Sequence, residues 1–252
     1  MRVQDKTIIV TGSGSGIGAG IAQRLAAEGA NVIVNDIDVV RGERVAAGIR
    51  ATGAKALFFA ADVTCSADVQ ALVGAAVQHY GRLDAMVNNA GWTHRNRPAL
   101  EVDEAEFDKC FAVNVKSLYL ATIHATPVFR AQAGGSFVTI ASTAGLRPRP
   151  GLTWYNASKG AVNLMSKSMA VELGPEKIRV NAICPVMGVT GLFEDFMGLP
   201  DTPENRAKFM STIPLGRFAL ASDVAAAAVF LASDAAEFFT GVEFPVDGGR
   251  TI

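Results

Sequence analysis

The sequence predicts one doubly wound α/β domain, with a sheet of about seven parallel strands flanked by helices. Three observations predict it. Short β-branched, apolar runs recur along the 252 residues, each followed by a longer, often alanine-rich stretch. Those runs are continuously apolar rather than alternating, as expected when helices cover both faces of a parallel sheet. The glycines, 25 in number, cluster where one kind of segment gives way to the other.

Thr7–Val10 is the first strand, and a glycine cluster from Gly12 to Gly16 leaves it. Ile17–Glu28 has the helical pattern and closes at Gly29; Asn31–Asn35 is the second strand. Val40–Thr52 reads helical to Gly53, Leu57–Ala61 is the third strand, and Ala67–Tyr80 a helix closed by Gly81. Ala85–Asn88 follows as strand, then a long helix near Phe111–Ala131 and the strand Ser136–Ile140. The helix Tyr155–Leu173, strand Arg179–Ile183, helix Ser222–Ser233 and strand Glu243–Val246 complete the alternation. Gly29, Gly53, Gly81 and Gly174 fall where a helix end favours positive φ. Residues 186–214 have no clean period and are rich in Gly, Pro and Phe. They follow the sixth strand, at the sheet edge where such folds bind ligands, and are read as a substrate lid within a single domain spanning 1–252.

Composition removes several classes of function. Lys plus Arg number 23 and Asp plus Glu 24, a net charge of −1, without the basic excess of a nucleic-acid or membrane-surface protein. No apolar run has the 18 or so residues of a membrane helix, and the N-terminus lacks a signal-peptide pattern. The three cysteines, Cys65, Cys110 and Cys184, are far apart and form no CxxC, which reads as packing thiols in a reduced, cytoplasmic chain with no metal site.

The segment Thr11–Gly18 (TGSGSGIG) connects a strand to a helix. Glycines there let the backbone approach a pyrophosphate, and the first-turn N–H groups of the helix hold its charge. Gly12, Ser15, Gly16, Ile17 and Gly18 are therefore candidate cofactor contacts. Asp36 ends the second strand, placed to accept from both ribose hydroxyls of NAD and to repel the 2′-phosphate of NADP. No Arg or Lys lies between Gly12 and Gly20, and the first basic residue after Asp36 is Arg41, so NAD is favoured. Asp62, with Val63 beside it, ends the third strand in reach of an adenine amine.

Tyr155 and Lys159 are four apart on a helix and share a face. A nearby ammonium favours the phenolate, so the pair can exchange a proton with an alcohol or ketone while hydride moves to or from nicotinamide. Ser142 follows the fifth strand, where it can polarise a substrate oxygen. Asn114 is read as opening the long helix before that strand.

Taken together, Thr11-Gly12-xxx-Gly16-Ile17-Gly18, Asn88-Asn89-Ala90-Gly91, Asn114, Ser142, Tyr155-xxx-Lys159 and Pro185 resemble the short-chain dehydrogenase/reductase family. The resemblance covers essentially the whole chain, including the tail Gly241–Gly249. It implies a Rossmann fold with Tyr155 as general acid/base and Lys159 binding the nicotinamide ribose and lowering the Tyr155 pKa. It also implies that Ser142 orients the substrate oxygen and that Asn114 holds a water in the proton relay. Asn89, Ala90 and Gly91 would line the cofactor, Pro185 would border it, and Thr190 would meet its nicotinamide end. The family usually has Pro-Gly after the sixth strand; here it is Pro185-Val186, with Gly188 two residues on as a possible source of freedom.

Trp92–Pro98, Ala144–Trp154 and Val186–Ile213 should converge over the nicotinamide. Trp92, Leu146, Trp154, Met187, Phe193, Phe196 and Met197 serve there as packing or as substrate contacts. Arg95, Arg97, Arg147 and Arg149 are either solvated or bind a carboxylate, phosphate or carrier-protein surface. His94 is a further donor candidate, while His79 and His124 read as structural. The leading function is NAD(H)-dependent interconversion of a small secondary alcohol and its ketone. The alternatives are an NADPH-dependent 3-oxoacyl-carrier-protein reductase and a catalytically silent NAD-binding regulator. The resemblance further implies a homotetramer, pairing through the two helices 111–131 and 155–173 and through Glu243–Ile252.

Overall fold

The computed structural model describes residues 1–188 and 193–252. Seven strands form one parallel sheet in the order β3-β2-β1-β4-β5-β6-β7. They are β1 (Thr7–Val10), β2 (Asn31–Asp36), β3 (Ala56–Ala60), β4 (Ala85–Asn88), β5 (Gly135–Ile140), β6 (Ile178–Pro185) and β7 (Glu243–Val246). The order reverses between β1 and β4, the crevice where doubly wound sheets take their ligands. Register is in step across it: Ile9 pairs with Ile33 on one side and Met86 on the other.

Helices cover both faces. Ile8 and Val10 of β1 point into the layer formed by α1 (Gly16–Ala27), α2 (Val39–Ala51) and α9 (Ala221–Ala232), where Ile21, Leu25 and Val229 are fully or almost fully buried. Ile9, between them in sequence, points the other way, against α3 (Ser66–Tyr80), α5 (Ser117–Ala131) and α6 (Thr153–Leu173). This period-two division of a continuously apolar strand requires the sheet to be covered twice. No helix among the described residues is long and apolar enough to cross a membrane.

Several expectations are corrected. Gly29, Gly53 and Gly81 have positive φ, but Gly174 is right-handed at −55° and opens a short 3₁₀ turn; Lys177 makes the left-handed exit instead, at φ 58°. The helix expected near Phe111 begins earlier, as α4 (Glu104–Phe111), started by a capping box between Asp103 and Glu106. A wide π turn, Ala112–Lys116, joins α4 to α5, so Asn114 lies inside a helical run and does not open one. Cys65 is exposed at the start of α3, whereas Cys110 and Cys184 are buried thiols. Within 186–214, α7 (Phe193–Met197) and α8 (Pro203–Met210) are short helices. They share a small apolar cluster containing Val186, Phe193, Phe209, Ile213 and Phe218.

Candidate active site

A cavity of about 1730 Å³ opens along the C-terminal ends of β1 to β6. Its floor begins at the loop leaving β1. Gly12 turns with φ +60°, and a Cβ there would stand 2.8 Å from Ala90 Cα. The Thr11 hydroxyl accepts from the backbone N–H of Asn89 (3.0 Å) and of Ala90 (3.1 Å). The Asn89 amide donates back to the carbonyls of Thr11 (2.8 Å) and Gly12 (3.0 Å). Gly18 is held against the same amide: a Cβ there would lie 2.4 Å from both Asn89 Nδ2 and the Gly12 carbonyl oxygen. The loops after β1 and β4 are thus one latched unit. Ser15 precedes α1 without a side-chain capping bond, leaving the first-turn N–H groups to face the cavity.

Asp36 lines the same cavity. Its carboxylate accepts from the N–H of Gly14 (2.8 Å) and of Asp38 (2.9 Å). Arg41 is tied to Asp38 through Nε at 2.7 Å. Asp62 and Val63 border the cavity; the Asp62 carboxylate accepts from the N–H and hydroxyl of Thr64. These residues fit a dinucleotide: a glycine cradle that side chains would fill, a helix start with unclaimed donors, and a carboxylate closing the next strand.

At the other end α6 carries Tyr155 and Lys159, both nearly fully buried and on the cavity wall with Ser142. The Lys159 ammonium donates to the Ile140 carbonyl (2.9 Å) and lies 5.9 Å from the Tyr155 ring centroid. Burial lowers Lys159 to about 8. Burial also pushes Tyr155 up, to about 12, against a hydrogen bond with Ser142 that lowers it. Removing the phenol from water thus acts against the lowering expected of Lys159, whose ammonium lies 5.9 Å from the ring centroid.

Asn114 is 4% exposed and stands behind the wall, not on it. Its amide donates to the Trp92 carbonyl (2.9 Å) and the Ser158 hydroxyl (2.9 Å), and its oxygen accepts from the Trp92 N–H (2.9 Å). Ser158 in turn donates to the Tyr155 carbonyl. Both amide hydrogens of Asn114 are thus committed to the protein, and only its oxygen retains acceptor capacity toward a water. Sequence reasoning missed Ser158 and the Thr11 hydroxyl; both flank recognised motif residues, where adjacency was the available signal.

Gly12, Ser15, Gly16, Ile17, Gly18, Asn89, Ala90, Gly91 and Pro185 all border the cavity. Thr190 lies outside the described residues. Val186 is buried in the apolar cluster beside α7 and also borders the cavity, while Gly188 bridges to Ala219 without positive φ.

The rim loops do converge. The Asn96 amide donates to the carbonyls of Pro150 (3.0 Å) and Phe196 (3.1 Å), joining three segments. Trp92, Met187 and Phe196 reach the cavity, and Phe196 packs edge-on to Tyr155 at 5.2 Å. Trp154 instead donates to the Ala99 carbonyl and packs on Phe107, and Leu146, Phe193 and Met197 pack into apolar clusters. Of the four arginines, Arg147 and Arg149 border the cavity; Arg97 pairs with Glu106, and neither it nor Arg95 reaches the wall. His94 is buried off the cavity with Nδ1 on the Arg95 carbonyl. His124 meets Ser66 and His79 packs on Tyr80.

A family model described as enoyl-(acyl carrier protein) reductase matches residues 12–251. The 4-formylbenzenesulfonate dehydrogenase of Comamonas testosteroni is 49% identical, covering all of both chains. A cyclopentanol dehydrogenase from Comamonas sp. is 38% identical over 99% of this chain and 98% of its own. The structure of a 3-ketoacyl-(acyl-carrier-protein) reductase from Brucella melitensis, complexed with NADH, superimposes with a TM-score of 0.92 and 43% identity. It covers 99% of this chain and 100% of that one.

Proposed function

The chain belongs to the short-chain dehydrogenase/reductase family, and from that premise we propose that it interconverts a secondary alcohol and its ketone with NAD(H). The broader class, an oxidoreductase of alcohol and carbonyl groups with a nicotinamide dinucleotide, follows from the family and its relatives. The observation that carries the finer reading is one continuous cavity bordered by both Asp36 and Tyr155. Asp36 ends β2, and Ser142, on the same wall as Tyr155, follows β5, three places along in the sheet or about 14 Å at the usual strand spacing, a separation that suits an extended dinucleotide.

When bound, the cofactor supplies a hydride acceptor or donor at its nicotinamide ring. Gly12, Ser15, Gly16, Ile17 and Gly18 present backbone donors for its phosphates, and Asp36 accepts from the adenosine ribose hydroxyls. Asp62 and Val63 border the adenine. Asn89, Ala90, Gly91 and Pro185 border the nicotinamide half. Tyr155 Oη takes the proton of the alcohol or returns it to the ketone, and Ser142 hydrogen-bonds the same substrate oxygen. Lys159 holds positive charge beside the phenol and the nicotinamide ribose. Asn114 positions Trp92 and Ser158, and its remaining acceptor is available to a relay water. NAD over NADP rests on Asp36 and on Arg41, which Asp38 occupies. Residues 186–214 act as the substrate lid.

The relatives narrow the substrate. One is named for cyclopentanol, another for 4-formylbenzenesulfonate, an aromatic carbonyl compound with an anionic group. A wall containing Trp92, Phe196 and Phe209 suits a ring of that size. A second reading, a 3-oxoacyl-carrier-protein reductase, is favoured by the name of the Brucella neighbour. A silent regulator is disfavoured because Ser142, Tyr155 and Lys159 are together on the cavity. Exposed Tyr119 and Ile123 on α5 and Leu164 and Val171 on α6 support homotetramer pairing through those helices, which light scattering tests.

The test is a fluorescence titration with NADH and, separately, NADPH, followed by oxidation of cyclic and aromatic alcohols. Tighter NADH binding with alcohol turnover supports the reading. Tighter NADPH binding with reduction of acyl thioesters replaces it with the second.

A further inference from the structure

Arg147, Arg149 and Arg250 border the cavity, the last two of them against Phe209. Arg149 lies 5.0 Å from the centroid of that ring and Arg250 lies 4.6 Å from it. Arg147 joins them by donating to the Arg250 carbonyl (3.2 Å), and Arg250 itself donates to the Thr212 hydroxyl. Among the described residues none of the three forms an ion pair. Surface arginines elsewhere do: Arg130 with Glu176, Arg206 with Asp201. The carboxylate that Arg250 senses, Asp247, is already taken by the N–H groups of Gly249 and Thr251 and by the Thr251 hydroxyl. Burial and mutual repulsion hold Arg149 and Arg250 below the usual guanidinium range, so the cluster bears an electrostatic cost that a bound anion relieves.

A guanidinium presents a planar fork of donors that matches a carboxylate, sulfonate or phosphate, so three on one cavity wall suit an anion. Contacts lead from this cluster to the reacting end: Arg149 donates to Met197 Sδ (3.2 Å), Met197 belongs to α7, and Phe196 beside it packs on Tyr155. Taking the proposed alcohol and ketone chemistry as its basis, we infer that Arg147, Arg149 and Arg250 form an anion subsite. It holds a sulfonate or carboxylate on the far side of an aromatic substrate from the carbon that reacts at Tyr155. Phe196 and Phe209 flank the ring, and Thr212 orients Arg250. The guanidiniums choose which molecule presents its carbon and take no part in proton or hydride transfer.

The probes are benzenesulfonate and benzoate, with benzyl alcohol as the uncharged control, titrated into the NADH-loaded protein by calorimetry. The expected result is at least tenfold tighter binding of the anions, weakening as salt rises. Arg149→Met and Arg250→Met should each lose tenfold or more of benzenesulfonate affinity, with the NADH dissociation constant unchanged. Arg147→Ala removes an exposed side chain, and its tenfold loss carries the same conclusion should the two less exposed variants fold poorly. Equal binding of charged and neutral probes, or unaltered benzenesulfonate affinity in the variants, overturns the subsite. Tighter binding of pantetheine 4′-phosphate than of either probe overturns the assignment to a small aromatic substrate. Failure of NADH binding and alcohol turnover, with the sulfonate still bound by the arginines, instead removes the dehydrogenase reading and leaves the subsite standing.

Discussion

Replacing Lys159 with Met should change how stability depends on pH. In the folded protein the ammonium is buried and titrates near 8, against 10.5 for the free side chain. Between those values the unfolded chain holds a proton that the native state has released, so Lys159 makes stability rise with pH. The proton-binding difference destabilises the native state by about 3 kcal/mol at pH 7 and by about 1.4 kcal/mol at pH 9.5, relative to the neutral amine. Lys159 should therefore contribute a gain of about 2 kcal/mol to wild type over that interval relative to Lys159→Met, while the buried Cys110 and Cys184 thiols, raised by burial, lower stability over the same interval in both proteins. For a chain of this length that gain corresponds to roughly 4–8 °C in Tm. Tyr155 does not interfere: its folded value is raised from 10 to about 12, so its own effect is a loss of stability that begins near pH 10. The variant also orphans the Ile140 carbonyl, at about 1–3 kcal/mol, but that cost does not vary with pH and cancels in the difference. The assay is a set of thermal melts of both proteins at pH 7.0 and 9.5. Parallel shifts in the two proteins, or a larger gain in the variant, would refute the argument from burial.

Tyr155→Phe should lower kcat by about 10²–10⁴-fold while leaving NADH affinity nearly intact, read by initial rates and fluorescence titration. Asp36→Ala combined with Ile37→Arg should move the ratio of NADPH to NADH affinity toward NADPH; an unmoved ratio means that Asp36 does not meet the ribose. Thr11→Val leaves the N–H groups of Asn89 and Ala90 without their acceptor and should cost about 2–4 kcal/mol in urea unfolding. Gly18→Ala forces a methyl to within 2.4 Å of the Gly12 carbonyl and should weaken NADH binding by at least about tenfold, near 1.4 kcal/mol, as the loop shifts.

What the sequence disclosed, and what it hid, follows from the range of the interactions concerned. Thr7–Val10 and Ala85–Asn88 were legible to the residue because both faces of each strand are buried and every position is constrained. The glycine loop was legible because its backbone has no alternative to glycine at Gly12. Asp103 and Glu106 form a capping box whose spacing is plain in the sequence, and α4 begins there, ahead of the helix expected near Phe111. Thr202 and Pro203 announce α8 in the same way, but a helix of eight residues shows too little periodicity to stand out. The π turn left no local trace, since the partners of Asn114 within it, Trp92 and Ser158, lie far off in sequence. The arginines divide on the same ground: no sequence rule separates Arg97, which finds Glu106, from Arg149, which finds Phe209, and Arg250 stands a hundred residues from the loop it joins.

The single amide of Asn96 ties the loop after β4, the turn before α6 and the helix α7 together. The three rim segments are therefore poor candidates for piecemeal exchange. A chimera that imports one of them from a relative leaves a carbonyl or an amide of the other two without its counterpart. New specificities on this scaffold should come more readily from single side-chain changes within the rim, or from transplanting all three segments as a set, than from grafting any one.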